Sequence, residues 1–234
     1  MYNRGVKRTV KQFDKFELGE EINTDLWRYV RMIEICSNCG NHEWDKEIIG
    51  NKLRCPKCGA EWKFRTMPLL ILTGCSGVGK TTTAIEIMRR MVDFVVLDAD
   101  IFTGLINWDD EESCNNWVEL IANISKDIMQ SGKPVLWTMA GCLDRFSKVY
   151  NSRYFSEVSC LALVTDEASL RQRMQDGRGI TDDNWISSSW DYNRYFMEHT
   201  QVGDTKYEIF DISSKTPKEV ADYVINWVQK KACV

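Results

Sequence analysis

From residue 69 onwards, short apolar runs alternate with longer stretches whose apolar positions recur at helical spacing. Leu69-Leu-Ile-Leu-Thr73 is apolar and β-rich. Phe94-Val-Val-Leu-Asp98 is apolar throughout and predicts a strand buried on both faces, as in a parallel sheet. Pro134 to Ala140, Val158 to Val164 and Tyr207 to Ile212 read as three more strands. Between them, helices are predicted over Thr81 to Met91 (Ala84, Ile87, Met88 and Met91 on one face), Ser113 to Gln130, Ala168 to Gln175, Asp182 to His199 and Pro217 to Lys230. The last carries Val220, Tyr223, Val224, Trp227 and Val228 on its apolar side. Gln175-Asp-Gly-Arg-Gly-Ile180 predicts a helix break, and the acidic cluster Asp109 to Glu112 is favourable charge at a helix N-terminus. Strand and helix in alternation predict an α/β fold: a parallel sheet of about five strands flanked by helices.

The pattern changes upstream of Pro68. Residues 1–32 are polar and predict a loose arm with at most one short helix; Trp27, Tyr29, Val30, Met32, Ile33 and Ile35 gather towards a strand. Then come Cys36-Ser-Asn-Cys39-Gly40 and, after a 15-residue spacer, Cys55-Pro-Lys-Cys58-Gly59. Each pair sets two thiolates on a tight turn whose glycine accepts positive φ. Two such turns facing each other complete a tetrahedron for Zn²⁺, with iron or a free dithiol as the alternatives. Asn41 to Arg54 would form the hairpin between them. His42 is a fifth candidate ligand, but four thiolates need no substitute. The expected division is therefore an arm at 1–32, a zinc module at 33–66 and an α/β domain at 67–234.

At 234 residues with 44% hydrophobic content, the chain can bury one sizeable core and still carry a small extra module. Its polar, basic start and its lack of a long apolar run predict a protein without a membrane partner, in a reducing cytoplasm where the remaining five cysteines stay thiols. Residues 1–66 hold 13 Lys/Arg against 10 Asp/Glu, and the remainder is net acidic. That small surplus is weak support for nucleic acid.

The sharpest chemistry lies at Gly74-Cys75-Ser76-Gly77-Val78-Gly79-Lys80-Thr81-Thr82, spaced G-x-x-x-x-G-K-T between a strand and a helix. Glycines let backbone N–H groups turn inward around an anion, and the following helix adds its positive end. Lys80 can reach the β- and γ-phosphates of ATP, and the Thr81 hydroxyl can ligate Mg²⁺. Asp98-Ala99-Asp100 ends the next strand, where ligand crevices of parallel sheets open.

From Leu69 to the C-terminus these motifs resemble the small P-loop kinases of the gluconate, shikimate and adenylylsulfate kinase type. The residues that carry the likeness are G-C-S-G-V-G-K-T-T, the L-D-A-D ending at Asp100 and Leu170-Arg-Gln-Arg173-Met. Residues 33 to 64 resemble a zinc ribbon. The kinase resemblance implies that Asp98 holds Mg²⁺ through water and that Asp100 orients or deprotonates an acceptor hydroxyl. It also implies that an arginine, Arg178 or else Arg171 or Arg173, neutralises the transferring phosphoryl group; surface pairing is the plainer role for the latter two. Two departures stand out. The strand at Val135 to Ala140 ends without a Walker-B aspartate, and acceptor-binding positions are not recognisable.

The reading is an ATP-, Mg²⁺-dependent kinase of a small-molecule hydroxyl (sugar acid, nucleoside or nucleotide), with structural Zn²⁺ on Cys36, Cys39, Cys55 and Cys58. Its alternatives are a polynucleotide-end kinase and a non-catalytic nucleotide switch, with the ribbon docking nucleic acid or protein through Trp44, Trp62, Lys57, Lys63 or Arg65.

Overall fold

The computed structural model describes residues 33–232, so the expected arm lies outside the described residues. Ile33 and Ile35, expected to open a strand, stand instead at a turn leading into the first cysteine knuckle. Ile33 is buried in the small core that follows, and Trp62 donates its indole N–H to the Ile33 carbonyl at 3.2 Å.

Three short antiparallel strands build the first layer: β1 (Glu47–Ile49), β2 (Lys52–Arg54) and β3 (Glu61–Lys63). The middle residue of each strand points inward, Leu53 and Trp62 buried and Ile48 half-buried against them, as the period-two pattern of so thin a sheet requires. Their core is completed by Phe64 and by Tyr154, which comes from far along the chain.

The second layer is a six-stranded sheet: β4 (Leu69–Thr73), β5 (Val95–Asp98), β6 (Val135–Thr138), β7 (Val158–Val164), β8 (Gln201–Val202) and β9 (Thr205–Asp211), ordered β5-β6-β4-β7-β9-β8. The first five in that order are parallel. The two-residue β8 was not expected: it folds back antiparallel on β9 across Gly203-Asp204. Side chains alternate between two cores. Leu69 and Ile71 join Val135 and Trp137 on one face; Leu70 and Leu72 join Leu136 and Leu161 on the other.

Helix α2 (Glu111–Gln130) covers the first face with α4 (Asp183–Glu198), while α1 (Lys80–Met88), α3 (Glu167–Arg178) and α5 (Pro217–Ala232) cover the second. Three expectations need correction. β5 is an edge strand whose residues are all half-buried, because only β6 flanks it. Helix α1 stops at Met88, and Met91 is 94% exposed in a left-handed turn, so Met88 and Met91 are not part of the core-facing stripe. Helix α3 runs past its expected end at Gln175 as far as Arg178, and Gly179, with φ of 65°, terminates it within the expected break.

The ribbon sits on the end of the sheet where the strands begin. The buried Lys126, near the C-terminus of α2, pairs with Glu34 at 3.1 Å, and Gln130 exchanges two hydrogen bonds with the backbone of Arg65. From the segment after β6, Tyr150 stacks on Trp44 and donates to its carbonyl at 2.6 Å; Arg153 lies 4.0 Å over the Tyr150 ring and donates to Lys46 O.

Candidate nucleotide and metal sites

Among the described helices, α1 begins differently from the rest. Asp110, Asp166 and Asp182 cap α2, α3 and α4 with side-chain bonds to first-turn N–H groups, and Thr216 with Glu219 does so for α5. Helix α1 starts at Gly79 with no side-chain cap and no acid in its first turn. Its N–H groups are left for an anion.

The loop before it is shaped for the same purpose. A Cβ on Gly74 (φ 134°) would come within 2.5 Å of Leu163 O, and one on Gly77 (φ 80°) within 2.5 Å of Met174 Cγ. The backbone can turn inward there only without side chains. Lys80 Nζ donates to the carbonyls of Gly74 and Cys75 at 2.8 and 2.9 Å. Burial holds the Lys80 ammonium below its ordinary pKa and pushes the Cys75 thiol up to about 11, so the loop's own cysteine stays uncharged beside a phosphate.

A cleft of about 720 Å³ runs over this loop. Its lining brings together Ser76, Gly77, Val78, Gly79, Lys80, Thr81, Thr82, Asp100 and Arg178. Gly74 and Cys75 lie buried at the loop's entry. Asp98 stands at the rim: its Oδ2 accepts from the Thr81 hydroxyl at 3.2 Å, and its Oδ1 accepts from the Asp100 N–H at 3.1 Å. One carboxylate thus ties the phosphate loop's helix to the short 3-10 turn Ala99–Leu105 that carries Asp100. A hydroxyl and a carboxylate at hydrogen-bond distance are the hard-oxygen donors Mg²⁺ takes, so the residues fit that ion.

The three arginines separate. Arg178 Nη1 donates to Ser76 Oγ at 2.8 Å, over the loop. Arg173 braces the loop from behind, donating to Val78 O and Ile212 O, and also lines the cleft. Arg171 pairs with Asp183 at 2.9 Å on the surface and is no part of the site.

The cleft is also lined by Ile212, Lys215, Pro217, Val220, Trp185 and Ala140, none of which the sequence marks as a site residue. The available signal was position. Residues 212–217 follow the carboxyl end of a parallel strand, where crevices open.

The second site is the cysteine cluster. Gly40 (φ 71°) and Gly59 (φ 74°) close two matching turns, with Gly40 N donating to Cys36 O and Gly59 N to Cys55 O, both at 2.8 Å. All four sulfurs lie within 4.8 Å of one another, with Cys36–Cys58 at 3.6 Å and Cys39–Cys55 at 3.7 Å. Tetrahedral Zn–S bonds of about 2.3 Å place sulfurs about 3.8 Å apart, so this donor set fits Zn²⁺. Asn38 and Asn41 donate to Cys58 and Cys55, and the Asn38 bond leads the effects that push Cys58 down to about 6. His42 does not join the cluster.

No family model and no curated protein sequence matches the chain. Among solved structures, a sugar kinase from Janibacter sp. superimposes with a TM-score of 0.52 at 16% identity, covering 70% of this chain and 95% of its own. A gluconokinase from Sinorhizobium meliloti gives 0.49 at 15% identity over 72% and 95%. A shikimate kinase from Acinetobacter baumannii gives 0.45 at 16% identity over 70% and 94%. The chain has the P-loop kinase fold. At such identity the likeness concerns the fold alone. Among the described residues, no helix is long and apolar enough to cross a membrane.

Proposed function

We propose that this protein is a kinase that transfers the γ-phosphoryl group of ATP, with Mg²⁺, to a hydroxyl of a small molecule. The observation that carries the reading is Asp98: it links the cation-ligating Thr81 to the turn that puts Asp100 in the same cleft as the phosphate loop. A nucleotide switch needs the first of these links; only transfer needs a second carboxylate at the acceptor end.

Roles follow from position. The loop N–H groups and Lys80 hold the phosphates, while Thr81 and Asp98 hold Mg²⁺, which when bound neutralises phosphate charge. Asp100 takes the proton that an acceptor hydroxyl gives up, and Arg178 faces the charge developing on the phosphoryl oxygens. Zn²⁺ on Cys36, Cys39, Cys55 and Cys58 is structural, because four thiolates leave no open position. The names of fold neighbours, a sugar kinase and a gluconokinase, favour a sugar or sugar acid as acceptor.

The ribbon's aromatic residues support a small acceptor over a polynucleotide. Trp62 is core, and Trp44, though 54% exposed, stacks on Tyr150 at the end of the sheet opposite the cleft, out of reach of the phosphate loop. The test is ADP release from Mg-ATP over a panel of sugars, sugar acids, nucleosides and oligonucleotides. Asp100→Asn is expected to keep ATP affinity and lose at least about 100-fold in transfer rate, the scale of a general base. No acceptor-dependent turnover across the panel would leave the switch reading.

A further inference from the structure

Strand β6 lies between the phosphate-loop strand β4 and the Asp98 strand β5. Its last residue, Thr138, is in direct register with Asp98 on one side and Leu72 on the other. Registered residues of parallel strands point to the same face, so Thr138 shares Asp98's side of the sheet, the side covered by α1 and Thr81. Neighbouring strands run about 4.8 Å apart, which leaves a threonine hydroxyl and an adjacent carboxylate within one side-chain rotation of a hydrogen bond. Thr138 is 1% exposed, and its Oγ1 has no hydrogen-bond partner.

A buried hydroxyl without a partner costs about 1–3 kcal/mol. A valine of the same shape would avoid that cost and suit a strand better. The hydroxyl therefore points to a use in another state of the site. In the structure, Asp98 spends one oxygen on Thr81 and the other on Asp100 N–H. The Thr81 O–H can still donate to Asp98 while its oxygen ligates a cation, and a carboxylate with about four lone-pair sites keeps room for a further donor to fix its orientation. The nearest neighbour in register with a proton to offer is Thr138.

We propose that Thr138 is a positioning residue of the Mg²⁺ site, donating its hydroxyl to the Asp98 carboxylate from beneath when the cation is bound. It does this in the strand position where an acidic ligand would otherwise stand. The inference rests on the ATP- and Mg²⁺-binding part of the proposed function and not on transfer.

The test is calorimetric titration of the full chain with ATP, in excess Mg²⁺ and in chelator, for wild type, Thr138→Val and Thr138→Ser. Outer-sphere partners of metal ligands are worth about 10–100-fold in metal affinity. Thr138→Val is therefore expected to weaken ATP binding in Mg²⁺ about tenfold and leave the chelator value unchanged, with Thr138→Ser close to wild type. Mn²⁺ titration of the ATP complex, read by electron paramagnetic resonance, should weaken in parallel. The proposal falls if Thr138→Val keeps the wild-type metal dependence, or if it loses affinity equally in chelator, which would mark a packing role. Failure of the kinase reading appears separately, as metal-dependent ATP binding without acceptor turnover.

Discussion

At the scale of single residues, the phosphate loop depends on what is left out. Gly77 has a positive φ, and a Cβ there would meet Met174 Cγ at 2.5 Å. Gly77→Val is expected to abolish ATP binding by calorimetry while circular dichroism keeps the helical content, because the clash with the Met174 side chain of α3 displaces the loop and leaves the sheet alone. These glycines were legible from spacing alone, since no other residue type lets consecutive N–H groups face an anion. Thr138 was not legible: a threonine ending an apolar strand looks like ordinary β-propensity until the register places it beside Asp98. The same holds for Pro217 and Lys215, brought to the cleft only by the path of β9 into α5.

At the scale of elements, the capping pattern carries both stability and function. Asp166 accepts from the Ser169 N–H at 2.8 Å, and that bond holds its carboxyl below the ordinary carboxylate range. Asp166→Ala should cost about 1 kcal/mol in denaturant unfolding. Because the folded pKa is lowered, the cap's contribution is complete above the ordinary carboxylate value and fades as pH falls through the lowered one. The wild-type advantage over the alanine variant should therefore shrink only in acid. Helix positions came out of the apolar period almost unchanged, but their ends did not. The break expected over Gln175 to Ile180 falls at its far end, where hydrogen bonds to Gln175 O and Met174 O close the helix at Gly179 and Ile180. Which of two nearby glycines turns left-handed depends on the partners waiting for the next N–H groups. Strand β8 escapes the sequence pattern for a related reason: two residues make no period, and Val202 pairs with Thr205, whose hydroxyl donates to the distant Leu143 O.

At the scale of the whole molecule, the four-cysteine cluster and the phosphate loop lie at opposite ends of one sheet. Cys55→Ser is expected to lower the zinc content from one ion per chain, measured by elemental analysis, because three thiolates do not close the tetrahedron. Chelating the metal should raise amide exchange in residues 33–64 and around Tyr150 to Tyr154, while residues 74–81 in ATP keep their protection. Equal loss at both ends would contradict that separation. Two cysteine pairs announced the sulfur cluster from sequence, yet nothing in their spacing announced Tyr154, which is 1% exposed within the ribbon's core although it follows β6 by sixteen residues. A cut at Pro68 would therefore divide one hydrophobic core between two fragments. Such a fragment would bare the ring of Tyr154 along with the Lys126 ammonium that now meets Glu34. The useful unit for expression, crystallisation or transplantation is thus longer than the α/β layer that carries the phosphate loop: it begins no later than Ile33.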